Sequence, residues 1–328
     1  MHERGGPEVL RYQDVPDPTP VAGEVLVRVR AATVNHTDLF HRSGRFFIQK
    51  ELPHVLGMDL AGEIAALGPD VTGWAVGDRV VATFEDLGRK RDGAYAELAT
   101  VPVSELRRIP NGLDFNTAAS VGLAFTTAWV ALRQRARIGA CVDGLRGERV
   151  VVTAAASGVG TAAVQIAAWL DARVVALVGD DESDLGRRKA ELLKGLGADA
   201  VLRADDPELV AKAHAALGGE ATLVVEHVAG ASLQRSLDVL GPYGRIVCIG
   251  TLGGDVGPVN VMDMIMKNAT VLGSFGAVPP GDFERILGLF AMGVFEPVID
   301  RVMPLAQARE AHELVEARQT VGKVLLVP

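Results

Sequence analysis

The stretch "RVVVTAAASGVGTAAVQIAAWLDARVVALVG" (residues 149–179) decides the fold of this chain. An apolar, valine-rich run at residues 149–154 is followed by a glycine-bearing turn, a helical pattern and a second apolar run at residues 173–179. Strands that are buried on both faces of a parallel sheet are apolar throughout, and a helix must connect them. The stretch therefore predicts a strand–helix–strand unit.

The same alternation continues downstream of this unit. Helical patterns ("DLGRRKAELLKGLGA", "PELVAKAHAALGG", "SLQRSLDVLG") alternate with the apolar runs "AVLRA", "ATLVVEHV" (residues 221–228) and "RIVCIGT" (residues 245–251). Apolar strands that alternate with helices of this length favour a parallel sheet covered on both faces. We predict an α/β protein with a doubly wound, nucleotide-binding sheet.

The sequence on either side has a different pattern. Residues 25–86 alternate short β-branched runs with Gly, Pro and Asp turns, which predicts a largely β domain. A helical pattern begins near Asp114, and the tail carries "ATVLGSF", two amphipathic helices near 281–293 and 304–318, and a final "KVLLVP". We predict a first domain over residues 1–117, completed by residues 270–328, and a second over residues 118–269.

Composition narrows the functional class. The 328 residues carry a formal net charge of −8, which disfavours a binder of nucleic-acid phosphates. The two cysteines, Cys141 and Cys248, can form neither a disulfide framework nor a four-cysteine zinc lobe, and they fit a reducing cytoplasm. We find neither a signal-peptide pattern nor an uninterrupted apolar run that would span a bilayer. The expected partner is a small molecule, with no nucleic acid and no membrane.

The turn "AAASGVGTAAVQ" follows the first strand of the α/β unit and opens a helix. Gly158 and Gly160 leave backbone N–H groups accessible at the helix N-terminus, where a dinucleotide pyrophosphate binds, and Ser157 adds a hydroxyl. The spacing departs from G-x-G-x-x-G, because Ala154 or Ala155 stands at the first glycine position. The alternative is a turn that serves strand–helix packing alone, and the further strand–helix units favour cofactor binding.

Several motifs together resemble the medium-chain dehydrogenase/reductase superfamily over nearly the full length. They are "GGPEVL", "GEVLVRVRAATVNHTD", "HRSG", "GDRVVA", "GAYAELA", "AAASGVGTAAVQIA", "LGAD" and "TVGKVLLVP". The first domain resembles that of the zinc-independent branch of quinone oxidoreductases and enone or enoyl reductases. The resemblance implies a GroES-like β domain followed by a Rossmann domain. Relatives begin with an additional strand before "GGPEVL", where this sequence has residues 1–4.

The resemblance also implies that catalytic zinc is absent. Zinc-dependent relatives hold the metal with a cysteine and a histidine at the positions of Asn35 and Met58, and neither amide nor thioether is a good zinc ligand. The competing interpretation is a new cluster of His36, His41 and His54, which lie on different predicted elements without a cysteine. We expect no metal.

Without a Lewis acid, hydride transfer to a quinone or an α,β-unsaturated carbonyl is easier than alcohol oxidation. By the resemblance, Asn35 is the candidate catalytic donor, and its alternative role is local backbone hydrogen bonding. Phe40 and Phe46 stand where relatives often have tyrosine, and they line an apolar substrate pocket or belong to the core. Arg42 matches a structural arginine of the family.

The cofactor implied by the resemblance is NADP(H), with NAD(H) as the alternative. An acidic residue after the second strand, Asp180, favours NAD, whereas the basic residues beyond it favour a 2′-phosphate or form a solvated helix face. By the resemblance, Thr127 is the second candidate catalytic residue and is expected to approach the nicotinamide. The other expected cofactor residues are Ser157, Gly158, Val159, Gly160, Gly179, Asp180, Arg187, Arg188, Gly250, Thr251, Ser274, Phe275 and Lys323.

Two other functions stay open from the sequence. One is a dedicated biosynthetic enoyl-thioester reductase, and the other is a non-catalytic dinucleotide-binding protein. By the resemblance, residues 269–275 form an edge strand through which the chain pairs as a homodimer. An insertion at residues 138–148 has no functional interpretation.

Overall fold

The structure is a computed structural model, and it describes all residues except 49, 84, 139–146, 180–181, 277 and 280. It divides into two compact units, one of Met1–Thr126 with Pro279–Pro328 and one of Thr127–Val278. Each unit is described by itself below. Asp180, expected to contact the cofactor, and most of the insertion at residues 138–148 lie outside the described residues.

The chain begins with the β structure of the first unit. After a 3₁₀ turn at Pro7–Val9 come β1 (Glu24–Val34), α1 (His36–Ser43), β2 (Asp59–Leu67), β3 (Arg79–Thr83), β4 (Leu98–Pro102), a second 3₁₀ turn at Val103–Glu105, β5 (Leu106–Arg108) and α2 (Phe115–Trp129). Buried and less buried residues alternate along the first half of β1, as expected for a sheet with one face on the core. Helix α2 continues as a π-helix over Val130–Arg135.

The second unit carries the predicted alternation of strands and helices. In chain order these are β6 (Arg149–Val152), α3 (Gly158–Trp169), β7 (Arg173–Val178), α4 (Asp184–Gly195), β8 (Ala200–Arg203), α5 (Leu209–Leu217), β9 (Ala221–Glu226), α6 (Ser232–Val239), β10 (Leu240–Cys248), α7 (Val261–Lys267) and β11 (Thr270–Gly273). The strands form a parallel sheet in the order β11-β10-β9-β6-β7-β8. The order reverses between β6 and β9, which is the doubly wound arrangement.

The remaining residues return to the first unit. They form α8 (Asp282–Ala291), β12 (Ile299–Pro304), a 3₁₀ turn at Leu305–Gln307, α9 (Ala308–Glu316) and β13 (Lys323–Val327). The sheet of this unit has the order β12-β13-β1-β2-β3-β5, with β4 also paired to β1. Strand β13 pairs antiparallel with β1, with Val324 opposite Val34, so the end of the chain completes the first sheet.

One helical segment of the described chain is long and apolar enough to cross a membrane. It is Phe115–Arg135, with a mean hydropathy of 1.3, and 83% of its most apolar window is buried inside the protein. That share of burial is typical of a core helix. Inside this segment Gly122 departs from helical geometry, with φ −28° and ψ −111°, so α2 is kinked there.

Candidate active-site and cofactor-binding regions

A buried carboxylate, Asp59, is the centre of a polar network in the first unit. It begins β2 and lies opposite Thr83 at the end of β3. One of its oxygens, Oδ2, accepts hydrogen bonds from Thr33 Oγ1 at 2.6 Å and from Asn35 Nδ2 at 2.9 Å. The other, Oδ1, accepts from the hydroxyl of Thr83 and from the backbone N–H of Leu123 at 2.8 Å. The network therefore joins three strands to the kink of α2.

Asn35, the predicted catalytic donor, belongs to this network. Besides its bond to Asp59, its Nδ2 donates to Thr33 Oγ1 at 3.3 Å, and its Oδ1 accepts from Lys323 Nζ at 2.5 Å. Lys323 also donates to Val34 O at 3.2 Å, and its Nζ lies 4.0 Å from Asp59 Oδ2. Both side chains are buried. The structure thus brings two predicted site residues, Asn35 and Lys323, into direct contact.

A second buried acid, Asp38, supports the same segment of chain. Its Oδ2 accepts from Asn35 N at 2.9 Å and its Oδ1 from Gly57 N at 3.2 Å. The pKa of Asp38 is raised from 3.8 to about 7, mainly by burial; Asp59 also raises it, while the two backbone bonds and Lys323 lower it. Burial lowers the pKa of Lys323, and Asp59 and Asp38 raise it.

The zinc positions of the family carry poor ligands in this chain. Met58 is fully buried, and the amide of Asn35 is committed to the bonds above. Within the described part of the chain, no group of three or more His, Cys, Asp or Glu side chains could hold a metal ion. His54 instead contacts Asp92 Oδ1 at 3.3 Å and Gly88 O at 3.2 Å. The residues present do not fit a zinc site.

The aromatic residues of α1 and the loop after it lie in the same unit. Phe46 is buried, with its ring centroid 4.5 Å from that of His41. Phe40 is half-buried, and the Arg45 guanidinium lies 4.8 Å from its ring. Both positions are compatible with a wall of a pocket or with packing.

Arg42 fastens α1 to its surroundings. Its guanidinium is buried and pairs with Glu316 Oε1 of α9 at 2.9 Å, donates to Gly5 O at 3.2 Å and contacts His312 Nδ1 at 3.2 Å. The other ring nitrogen of His312 contacts Tyr95 Oη at 3.1 Å. This chain of contacts fixes α1, which carries Asp38, against α9.

The predicted pyrophosphate loop lies in the second unit between β6 and α3. Ser157 is the N-cap of α3, and its Oγ accepts from Gly160 N at 3.1 Å. A Cβ at Gly160 would lie 2.4 Å from Ala154 O, so only glycine fits this turn. The first N–H groups of a helix have no acceptor within it, and the helix dipole favours an anion there. The loop can therefore hold a phosphate group.

The other predicted cofactor residues of this unit follow the carboxyl ends of the parallel strands or lie on helices. Gly179 is exposed after β7, Gly250 and Thr251 follow β10, Ser274 and Phe275 follow β11, and Thr127 is half-buried on α2. Arg187 and Arg188 are exposed on α4. Arg187 forms an ion pair with Asp184 and a bond to Glu182 O.

Strand β9 ends at Glu226 and is followed directly by His227, and the sequence analysis gave neither residue a role. The buried carboxylate of Glu226 accepts from Thr153 Oγ1 at 3.0 Å, from Val228 N at 2.7 Å, and from Ala229 N and Ser232 Oγ, each at 3.0 Å. His227 follows it at the same edge as the glycine loop. The signal was present in "ATLVVEHV", where two polar residues follow directly on a buried strand.

Comparison with known proteins gives one family match in the first unit and one mainly in the second. Residues 21–111 match the family "Alcohol dehydrogenase GroES-like domain", and residues 158–292 match the family "Zinc-binding dehydrogenase". A quinone oxidoreductase of Pseudomonas aeruginosa is 34% identical over 334 residues, with 99% of this chain and 97% of that protein covered.

Two solved structures are similar over the whole chain. An NAD-dependent alcohol dehydrogenase has a TM-score of 0.90 at 34% identity, covering 100% of this chain and 98% of that one. The Escherichia coli quinone oxidoreductase complexed with NADPH has a TM-score of 0.86 at 29% identity, with the same coverage. The chain belongs to the medium-chain dehydrogenase/reductase superfamily, which is a family of oxidoreductases, and the predicted GroES-like and Rossmann folds are confirmed.

Proposed function

We propose that this chain is a zinc-independent, NADPH-dependent oxidoreductase that reduces a quinone or an α,β-unsaturated carbonyl. The observation that carries the proposal is the pair of regions described above. One is a glycine loop at a helix N-terminus, suited to a dinucleotide. The other is a buried polar network around Asp59 that includes Asn35, which stands with the buried Met58 at the family's zinc positions. The quinone oxidoreductases among its relatives support the substrate class.

The cofactor region has three parts in this proposal. The N-terminus of α3, with Ser157, Gly158, Val159 and Gly160, holds the pyrophosphate. Gly179, Arg187 and Arg188 surround the adenosine ribose, and the arginines favour a 2′-phosphate. Gly250, Thr251, Ser274, Phe275 and Thr127 surround the nicotinamide. A reduced nicotinamide, when bound, supplies a hydride.

The polar network has a positioning and charge-stabilising role. A quinone or enone delocalises the incoming negative charge onto its oxygen, so one or two hydrogen-bond donors can be sufficient. The 3.3 Å bond from Asn35 Nδ2 to Thr33 is the longer of that nitrogen's two bonds, and a substrate oxygen would replace it. The ammonium of Lys323, held on Asn35 Oδ1, polarises the amide toward donation.

Zinc has no place in this scheme, because thioether and amide groups are poor ligands for it. Lys323 supplies a positive charge in this buried region.

The substrate pocket is assigned to Phe40 and Phe46. We place the protein in the cytoplasm, in keeping with its two cysteines, and assign it a homodimeric state.

The test is the loss of NADPH or NADH absorbance against quinones, enones and enoyl thioesters, with and without a metal chelator. We expect turnover with NADPH and a quinone or enone that the chelator does not change. Activity that the chelator abolishes and zinc restores would contradict the metal-free proposal. A strong preference for thioesters would favour the biosynthetic reductase instead. Cofactor binding without turnover of any acceptor would favour the non-catalytic function.

A further inference from the structure

The imidazole of His227 is buried, and no described residue forms a hydrogen bond with it. Its side chain is 4% exposed, and within the described residues neither Nδ1 nor Nε2 has a hydrogen-bond partner. Burial lowers its pKa from 6.5 to about 4, so the ring is neutral near pH 7. A neutral imidazole has one N–H donor and one acceptor nitrogen, and leaving both unsatisfied in the interior is unfavourable. Such a group is suited to a ligand that satisfies both.

The position of His227 indicates which ligand this is. It directly follows β9, beside the point where the strand order reverses between β9 and β6, and ligands of doubly wound sheets bind at that point. Its backbone N–H donates to Thr153 Oγ1 at 2.8 Å, at the start of the glycine loop. On the other side, a Cβ at Gly250 would lie 2.7 Å from His227 O. His227 therefore lies between two predicted cofactor segments.

The backbone that carries this ring is held in place. The neighbouring Glu226 carboxylate accepts from Val228 N, Ala229 N and two serine hydroxyls of α6, and it also contacts Thr153. These bonds fix the turn after β9. A turn held in this way loses little further backbone freedom when its histidine forms a new hydrogen bond, which favours binding.

We propose that His227 binds the nicotinamide half of the dinucleotide, by donating one hydrogen bond to a neutral polar group and accepting another. That group is a ribose hydroxyl or the carboxamide, each of which can both donate and accept. A pyrophosphate would pair best with a charged imidazole, which burial disfavours. Gly250 and Thr251, assigned to the nicotinamide end, follow the adjacent strand. The inference rests on the proposed function, because it requires a dinucleotide at this edge.

The test compares two ligands by titration calorimetry on the full chain. NADPH contains the nicotinamide half, whereas 2′,5′-ADP contains only the adenosine half with its 2′-phosphate. For His227→Phe we expect the Kd of NADPH to rise about tenfold or more, since each ~1.4 kcal/mol of lost interaction is tenfold. The Kd of 2′,5′-ADP should not change. The matched control is His41→Phe. His41 is also buried, its Nε2 has no hydrogen-bond partner in the described part of the chain, and it lies in the first unit. It should change neither Kd.

A second measurement, by NMR, is made on the wild-type protein, and variants are used only to assign its signals. In protein labelled with ¹⁵N-histidine, the His227 ring signals should shift with NADPH and not with 2′,5′-ADP; they are assigned from their loss in His227→Phe or, if that variant does not fold, in His227→Gln. His227→Gln keeps a donor and an acceptor, so its Kd for NADPH should lie between that of the wild-type protein and that of His227→Phe.

The 3-acetylpyridine analogue of NADPH distinguishes the carboxamide from the ribose hydroxyl as the group that His227 contacts. If the carboxamide is the partner, His227→Phe weakens the analogue less than NADPH, and if the ribose is the partner, it weakens both equally.

Three results would overturn the inference. An unchanged Kd of NADPH in His227→Phe would do so while leaving the proposed function intact. An equal rise in the Kd of NADPH and of 2′,5′-ADP in His227→Phe would show that the ring maintains the shape of the loop and does not contact the nicotinamide half. Failure of the wild-type protein to bind either ligand would instead overturn the proposed function, and His227 with it.

Discussion

The ionisation of Asp38 makes the stability of the first unit depend on pH. Burial raises its pKa from 3.8 to about 7, so between these values the folded protein keeps a proton that the unfolded chain has lost. The free energy of unfolding then falls as pH rises through this window, because the folded state binds more protons than the unfolded state. Asp38→Asn removes this dependence. We expect the variant to gain stability relative to wild type, on the order of 2–4 kcal/mol, between pH 4 and pH 7.

Urea unfolding at several pH values from 4.5 to 7.5 measures this difference. Buried histidines such as His312, whose pKa burial lowers to about 3, destabilise both proteins equally as pH falls below 6.5, and they cancel in the comparison. Asp70→Asn, at an exposed turn, is the control for loss of one negative charge. A difference between Asp38→Asn and wild type that is the same at every pH would show that Asp38 is ionised throughout.

Arg187 and Arg188 decide the cofactor preference in our proposal. A 2′-phosphate gains charge-assisted hydrogen bonds from arginine, whereas the 2′-hydroxyl of NADH gains little. For Arg187→Ala/Arg188→Ala we expect the Kd of NADPH to rise about tenfold, which is ~1.4 kcal/mol, with that of NADH unchanged. Fluorescence titration with both cofactors measures this, and NADH is the internal control. Equal Kd changes for both cofactors would remove the two arginines from the 2′-phosphate site.

Single residues show how far sequence analysis reaches at this scale. Asn35 and Lys323 were selected by resemblance, and the glycine loop was selected by its position between a predicted strand and a predicted helix. Asp59 was given no role, because its importance comes from contacts with Thr33, Thr83 and Leu123, which are far from it along the chain. His227 escaped notice for a related reason. A histidine at a strand end gives no sign of its burial or of its missing partners.

The kink of α2 is the element that depends most on one residue. At Gly122 the backbone leaves helical geometry and directs Leu123 N toward Asp59, and a Cβ there would lie 2.4 Å from Asp59 Oδ1. Gly122→Ala must displace a buried carboxylate. We expect a loss of about 2–3 kcal/mol in the free energy of unfolding, typical of overpacking, measured by urea titration.

The matched control for this prediction is Gly288→Ala in α8. Among the described residues, a Cβ at Gly288 would have no neighbour within 4 Å, and alanine favours a helix over glycine by about 1 kcal/mol. The control should therefore gain stability. If Gly122→Ala is as stable as wild type, Asp59 can move freely and the network does not fix the kink.

Elements with a strong apolar period were predictable, and shorter ones were not. The strands and helices of the second unit up to β10 match the sequence pattern, and α8 and α9 lie where amphipathic patterns predicted them. Helix α1 has only eight residues between strands. Strand β12 is mostly exposed or half-buried, so no apolar run marks it. Helix α7 follows a turn-rich stretch that hides its start.

At the scale of the whole molecule, the predicted order of folds is confirmed, and the C-terminal residues return to the first unit. This return was predictable in outline from "KVLLVP", an apolar run too short to fold alone. Its register against β1 was not, because pairing depends on the shape of a sheet that the sequence does not display. The same sheet position brings Lys323 to Asn35.

The apolar surface around β11 carries the last prediction, that two copies of the chain form a dimer. Strand β11 ends the strand order of its sheet in the described residues, and an exposed edge favours pairing with another chain. Apolar side chains are exposed along β11 and α7, and these are Val261, Met262, Ile265, Met266 and Val271. The wild-type protein should show twice the chain mass of 34.6 kDa in sedimentation experiments.

A charge placed on this surface should separate the copies, because it would be buried without a partner at the interface. We expect Ile265→Asp and Met266→Asp to sediment as monomers at micromolar concentration. Val76→Asp, at an exposed position of the first unit, should remain dimeric. A dimer that persists in both α7 variants would move the interface to another face. A monomeric wild-type protein would contradict the dimer prediction.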